Sequence, residues 1–223
     1  MKLFLSIASN EGFDLTSVDI RAAFLQSREM DREVFIEPPR DIKKEGSIWR
    51  LKKPLYGLND ASRKFWLRVR EIFKALGFKV VKGDEAFYYK HENGRLIGMI
   101  VTHVDDFIVA GSPSTIDSVK EAIMKELTIS KVESNSFRFT GLDICKHEEG
   151  ITVSMKEYAD SIEDLEDIRN APNEDKLTNQ ELKVYRKYTG KLSWLAANTR
   201  PDLAIVSLMI NKKMNSTTIK DFK

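Results

Sequence analysis

The chain has 223 residues, 42% of them hydrophobic and 31% charged, enough for one large core or a core with a smaller appended unit. A formal net charge of +2 excludes a uniformly basic polyanion binder, and a single cysteine with three scattered histidines excludes an internal disulfide and a thiol- or imidazole-based zinc centre. The apolar start of residues 1–8 is too short for a signal peptide, and no run approaches the ~20 residues of a membrane span, so a soluble intracellular chain is expected.

Leu3, Phe4, Ile7 and Ala8 fall at helical spacing, which predicts a short amphipathic helix ended by Gly12. Residues 13–20 alternate as a strand with Asp19 near its end, and Ala22–Leu25 favour a helical turn directly afterwards. Short strands are predicted at 34–36 and 48–51, then a Pro- and Gly-punctuated loop at 52–58. Asn59 or Asp60 is placed to cap a long helix whose apolar face is Ala61, Phe65, Trp66, Val69, Ile72, Phe73 and Leu76.

Strands at 78–81 and 86–90 lead into residues 96–111, the pattern around which the rest is arranged. Two apolar, β-branched runs there flank His103-Val104-Asp105-Asp106, which reads as a buried hairpin with two carboxylates at its tip. Ser112 or Ser114 caps a helix through Leu127, and 137–144 with 151–155 predict a second hairpin. A helix over about 156–168, a polar linker at 169–176 and helices at 179–198 and 201–214 complete the chain. The organisation expected is α+β: an antiparallel sheet with helices packed on one face and a helical C-terminal tail.

Charge is uneven along this frame. Residues 40–90 carry fourteen Lys and Arg against six acids, whereas 160–181 carry eight acids against Arg169 and Lys176. The basic stretch suits a phosphate backbone, or a solvated helix face. Adjacent carboxylates at a buried hairpin tip repel one another and lose solvation, a cost that a divalent cation removes; an ordinary tight turn in water is the alternative. Alternation along extended chain aims one of Asp105 and Asp106 at the spot Asp19 faces, if the two strands are neighbours. Three carboxylates without histidine or thiol suit a hard, oxygen-preferring ion such as Mg²⁺.

Six motifs then carry a resemblance: residues 18–25 (VDIRAAFL), 34–39 (VFIEPP), 51–58 (LKKPLYGL), 103–111 (HVDDFIVAG), 139–144 (FTGLDI) and 199–203 (TRPDL). In this order and spacing the chain resembles the reverse transcriptase of copia-type LTR retrotransposons, over nearly its whole length. The resemblance implies an RNA-directed DNA polymerase with an antiparallel-sheet palm over 1–168, including partial fingers, and a truncated thumb- or connection-like segment over 169–223. It implies two-metal nucleotidyl transfer, with Asp19, Asp105 and Asp106 as catalytic residues holding two Mg²⁺ or Mn²⁺ ions. Phe24 would face the nucleotide sugar, or simply pack in the core, and Tyr56 and Gly57 would form part of the nucleotide loop. Lys52, Lys53, Arg63 and Lys64 would meet the nucleic acid.

The implied partners are an RNA or DNA template-primer, a deoxynucleoside triphosphate and other parts of a Gag-Pol-type polyprotein, with no membrane. The implied setting is the cytoplasm, a virus-like particle or the nucleus. The chain departs from the family where His103 replaces a tyrosine and where Asn59-Asp60 replaces Lys-Gln, the latter putting a carboxylate near a triphosphate. It also begins just before the first catalytic motif, without the basic fingers segment. The alternative is therefore a catalytically inactive remnant that acts as a nucleic-acid-binding or scaffold module.

Overall fold

Alternating apolar strands form a six-stranded antiparallel sheet with the order β4–β5–β6–β7–β1–β8 in the computed structural model, which describes residues 1–164 and 169–222. Its strands are β1 (Asp14–Ile20), β4 (Lys79–Val81), β5 (Asp84–Glu92), β6 (Arg95–His103), β7 (Asp106–Gly111) and β8 (Ile129–Ser134). Strands β2 (Phe35–Ile36) and β3 (Trp49–Arg50) make a small ribbon, and β9 (Ser136–Phe139), β10 (Leu142–His147) and β11 (Gly150–Ser154) a three-stranded sheet. The chain divides into two compact units, residues 1–140 with 144–152, and residues 141–143 with 153–223.

In the first unit, alternation sorts the large sheet into two faces. Val18, Ile20, Phe107, Val109, Ile100 and Tyr88 share one face with α2 (Ala61–Ala75) and α3 (Pro113–Glu126), whose Phe65, Val69, Phe73, Ile116, Val119 and Ile123 complete the core. Phe73 sits at the centre, fully buried, with ring centroids 5.1 Å from Tyr88, 5.7 Å from Phe107 and 6.4 Å from Phe78. The opposite face carries Leu15, Met99, Ile108 and Ala110, all buried, and Phe87, whose ring lies 5.7 Å from Phe4 of α1 (Lys2–Asn10).

Two glycines let α3 lie close on the sheet. Gly98 and Gly111 are partners across β6 and β7, and both lie under Thr115. A Cβ on Gly111 would stand 2.9 Å from the Ile97 carbonyl oxygen and 3.2 Å from Thr115 Cβ, contacts that backbone cannot relieve cheaply. Gly111→Ala is expected to cost about 1–3 kcal/mol of stability, measured by urea unfolding.

Several local expectations are narrowed or corrected. Ser112, rather than Ser114, caps α3 by accepting from the Thr115 amide at 3.3 Å. Asp60 stands at the N-cap of α2 but makes no capping bond, because its carboxylate is held by Arg32. The turn after β1 is a 3-10 helix, Ala23–Gln26, entered through Ala22 at φ 47°. The strand predicted at 137–144 is broken in two by Thr140 and Gly141, both at positive φ.

The second unit is helical: α4 (Lys156–Asp160), α5 (Asn179–Asn198), α6 (Ala204–Lys212) and α7 (Ile219–Phe222), with a 3-10 turn at Pro201–Leu203. The helix expected over 156–168 stops at Asp160, and the end of that expectation lies outside the described residues. Like charges at Asp160 and Asp164, one helical turn apart, work against continuing it. Thr178 and Glu181 form a reciprocal capping box that starts α5. No helix among the described residues is long and apolar enough to cross a membrane.

Candidate active site

The carboxylates meet because β1 and β7 are neighbours running in opposite directions. Their register sets Asp19 directly opposite Asp106, so both side chains project from the face opposite α2 and α3. His103 and Asp106 close the β6–β7 hairpin around a two-residue turn of Val104 and Asp105. Val104 holds φ 56°, a left-handed conformation that a β-branched residue rarely adopts. The turn is tied to β1, since the Asp105 carbonyl accepts from the Ile20 amide at 2.9 Å.

Each carboxylate has a distinct environment. Asp106 is half-buried; burial first, then the charges of Asp105 and Asp19, hold its carboxyl above the usual range, and a hydrogen bond with Asp19 adds to this. Asp105 Oδ2 accepts from the Tyr56 hydroxyl at 3.3 Å. Burial, the Asp105 charge and that hydrogen bond raise the Tyr56 phenol in turn. The Ser130 hydroxyl donates to Asp19 Oδ2 and, at 3.1 Å, to the Asp19 carbonyl. His103 stands beside Phe139, its ring edge-on at 6.4 Å.

The donor set is entirely carboxylate oxygen, the chemistry that suits Mg²⁺ or Mn²⁺ rather than zinc or copper. Among the described residues, no three His, Cys, Asp or Glu side chains already stand as a ligand set for a metal ion.

Because Asp106 takes its proton more readily in the fold than in the unfolded chain, it favours folding most below the ordinary carboxylate range. That contribution is lost as pH rises through its raised pKa. Asp106→Asn is therefore expected to be more stable than the wild type at pH 7 without divalent cations, by about 1–2 °C in Tm after solvent screening. The difference should vanish near pH 3, as followed by circular dichroism melts.

The remaining expected site residues are placed unequally. Phe24 is buried in the α2 core, and its ring lies tilted against that of exposed Tyr56, with centroids 4.4 Å apart, so it packs and faces the loop at once. Gly57 follows Tyr56 at φ 97°. Lys52 and Arg63 are exposed. Lys53 instead donates to the Ser27 carbonyl at 2.7 Å, and Lys64 pairs with Asp31 at 2.7 Å, so both brace the chain segment after the 3-10 turn. Asp60 is held by Arg32 through two bonds of 2.9 and 3.0 Å, so its charge is not left facing an anion unpaired.

Sequence reasoning missed β8 and with it two residues at Asp19. Lys131 is Asp19's partner in the register, and Ser130 binds its carboxylate. The strand's exposed, weakly alternating side chains give little signal.

The sequence profile described as Reverse transcriptase (RNA-dependent DNA polymerase) matches residues 1–179. The chain belongs to this reverse transcriptase family. Among curated relatives, it is 24% identical over 98% of its length to the retrovirus-related Pol polyprotein from transposon RE2 of Arabidopsis thaliana, of which it covers 16%. It is 27% identical over 86% of its length to the putative transposon Ty5-1 protein of Saccharomyces cerevisiae, of which it covers 68%. It is 24% identical over half its length to the Pol polyprotein from transposon TNT 1-94 of Nicotiana tabacum, covering 8% of that protein.

This reverse transcriptase domain thus spans about a sixth of the RE2 polyprotein. Its antiparallel sheet flanked by helices, with a helical tail, is a palm-type fold. An apo telomerase structure from Candida tropicalis aligns with 64% of this chain and 35% of its own at 15% identity, with a TM-score of 0.40, too loose a likeness to carry an argument.

Proposed function

We propose that this chain carries the polymerising centre of a copia-type retrotransposon reverse transcriptase, adding deoxynucleotides to a primer on an RNA or DNA template. The observation that carries the reading is the opposition of Asp19 and Asp106 across β1 and β7, with Asp105 at the adjoining turn. Asp19, Asp105 and Asp106 would hold two Mg²⁺ or Mn²⁺ ions, which supply activation of the primer hydroxyl and neutralisation of the leaving diphosphate. In the ion-free chain the hydroxyls of Tyr56 and Ser130, donating to Asp105 and Asp19, relieve part of the same crowding of negative charge.

Tyr56, bonded to Asp105 and backed by the buried Phe24 ring, would face a nucleotide sugar, and Gly57 has no side chain to obstruct a close approach by phosphate. Lys52 and Arg63 are the two exposed members of the basic set and are assigned to the template-primer backbone; Lys53 and Lys64 act through the segment they brace. Residues 1–168 act as palm with partial fingers and 169–223 as a thumb- or connection-like segment, within a Gag-Pol-type polyprotein.

A second reading, a catalytically silent module that binds nucleic acid, is favoured by one observation: among the described residues no ready ligand set for a metal is present. Primer extension on a primed RNA template separates the two. The proposed function expects incorporation with Mg²⁺ that EDTA abolishes. Template-primer binding that weakens steeply with salt, with no incorporation, would favour the second reading.

A further inference from the structure

We propose that Ser130 is a positioning residue that orients the Asp19 carboxylate for divalent-cation binding, an inference that rests on the reading of Asp19, Asp105 and Asp106 above. The pairing of β1 with β8 sets Asp19 opposite Lys131 and Ile20 opposite Ile129, with an irregularity between Asp19 and Ile20. Two steps on β8 therefore answer one step on β1, and Ser130 is the extra residue. Such a bulge releases a residue from the ladder and re-aims its side chain. Here the released hydroxyl meets both the Asp19 carbonyl and Asp19 Oδ2.

Stability gives this contact little reason to exist. Ser130 is exposed on an edge strand, where water satisfies a hydroxyl and a carboxylate equally well. Orientation gives it one. A bond to Oδ2 restricts rotation of the carboxylate, whose side chain also shares a hydrogen bond with Asp106. Hydrogen bonds of this kind to a ligating carboxylate typically change metal affinity about 10–100-fold when removed. The neighbour Lys131 pairs with Glu133 at 2.9 Å, so within this bulge the hydroxyl is the group bonded to the Asp19 side chain.

The test compares wild type, Ser130→Ala and Ser130→Thr by calorimetric titration with Mn²⁺ and by primer extension against Mg²⁺ concentration. Ser130→Ala is expected to weaken Mn²⁺ binding about 10-fold and to raise the Mg²⁺ needed for half-maximal extension by a similar factor. Its Tm and its KM for template-primer should stay as in the wild type, and Ser130→Thr, which keeps the hydroxyl, should restore both metal readouts. Wild-type Mn²⁺ affinity in Ser130→Ala, or equal weakening in both variants, overturns the role of the hydroxyl while leaving the carboxylate site standing. Failure of the wild type itself to bind Mn²⁺ overturns the carboxylate reading and this inference with it.

Discussion

Asp19→Asn is expected to lower Mg²⁺-dependent primer extension on the order of 10³-fold, about 4 kcal/mol of barrier, while leaving the fold and template-primer binding intact. Asparagine keeps the shape of the side chain, and its carbonyl oxygen still accepts from Ser130, so the strand pairing around it has no reason to change. What disappears is one full negative charge from the corner to which the proposed function assigns three. The same substitution should also relax Asp106, since the Asp19 charge is one of the causes that raise its carboxyl. Steady-state incorporation of a labelled deoxynucleotide measures the loss; activity within tenfold of wild type would remove Asp19 from the mechanism.

Phe73→Ala is expected to cost about 3–5 kcal/mol, a large share of the roughly 5–15 kcal/mol by which domains of this kind are stable. Phe73 is fully buried and is the one ring that contacts Phe78, Tyr88 and Phe107 together, so its loss leaves a cavity bounded by α2, β5 and β7. Three aromatic walls in fixed rotamers cannot collapse into that space as aliphatic ones would. A fall in Tm of roughly 10 °C, read by differential scanning calorimetry, is the expected result. A fall of 2 °C or less would mean that the core rearranges freely. Because β7 begins at Asp106, the placement of the proposed catalytic carboxylates should loosen along with the core.

The elements with a strong apolar face were legible in the one-dimensional pattern. The runs around His103-Val104-Asp105-Asp106 became β6 and β7, and the stripe from Ala61 to Phe73 became the buried face of α2. Spacing alone did not bring Asp19 and Asp106 together, because that depends on β1 lying beside β7, a choice of strand order that local periodicity does not encode. The ordered motifs of the family supplied it instead.

Two further residues were illegible for opposite reasons. Asp60 looks like a cap because it precedes a helix, yet Arg32, twenty-eight positions upstream, claims its carboxylate. Ser130 lies in a strand exposed along nearly its whole length, where no buried face imposes a two-residue rhythm. The close approach of α3 at Gly98 and Gly111 was likewise hidden, since a glycine pair across two strands is visible only once the register is known.

The most direct measurement of the central claim is the calorimetric titration of Mn²⁺ into wild type, Asp19→Asn and Asp106→Asn at pH 7.5 and fixed ionic strength. Saturable binding to the wild type that weakens at least tenfold in each variant is the expected result. Indistinguishable titrations of all three folded proteins would contradict it, because the ions would then be bound somewhere other than the corner where β1 meets β7.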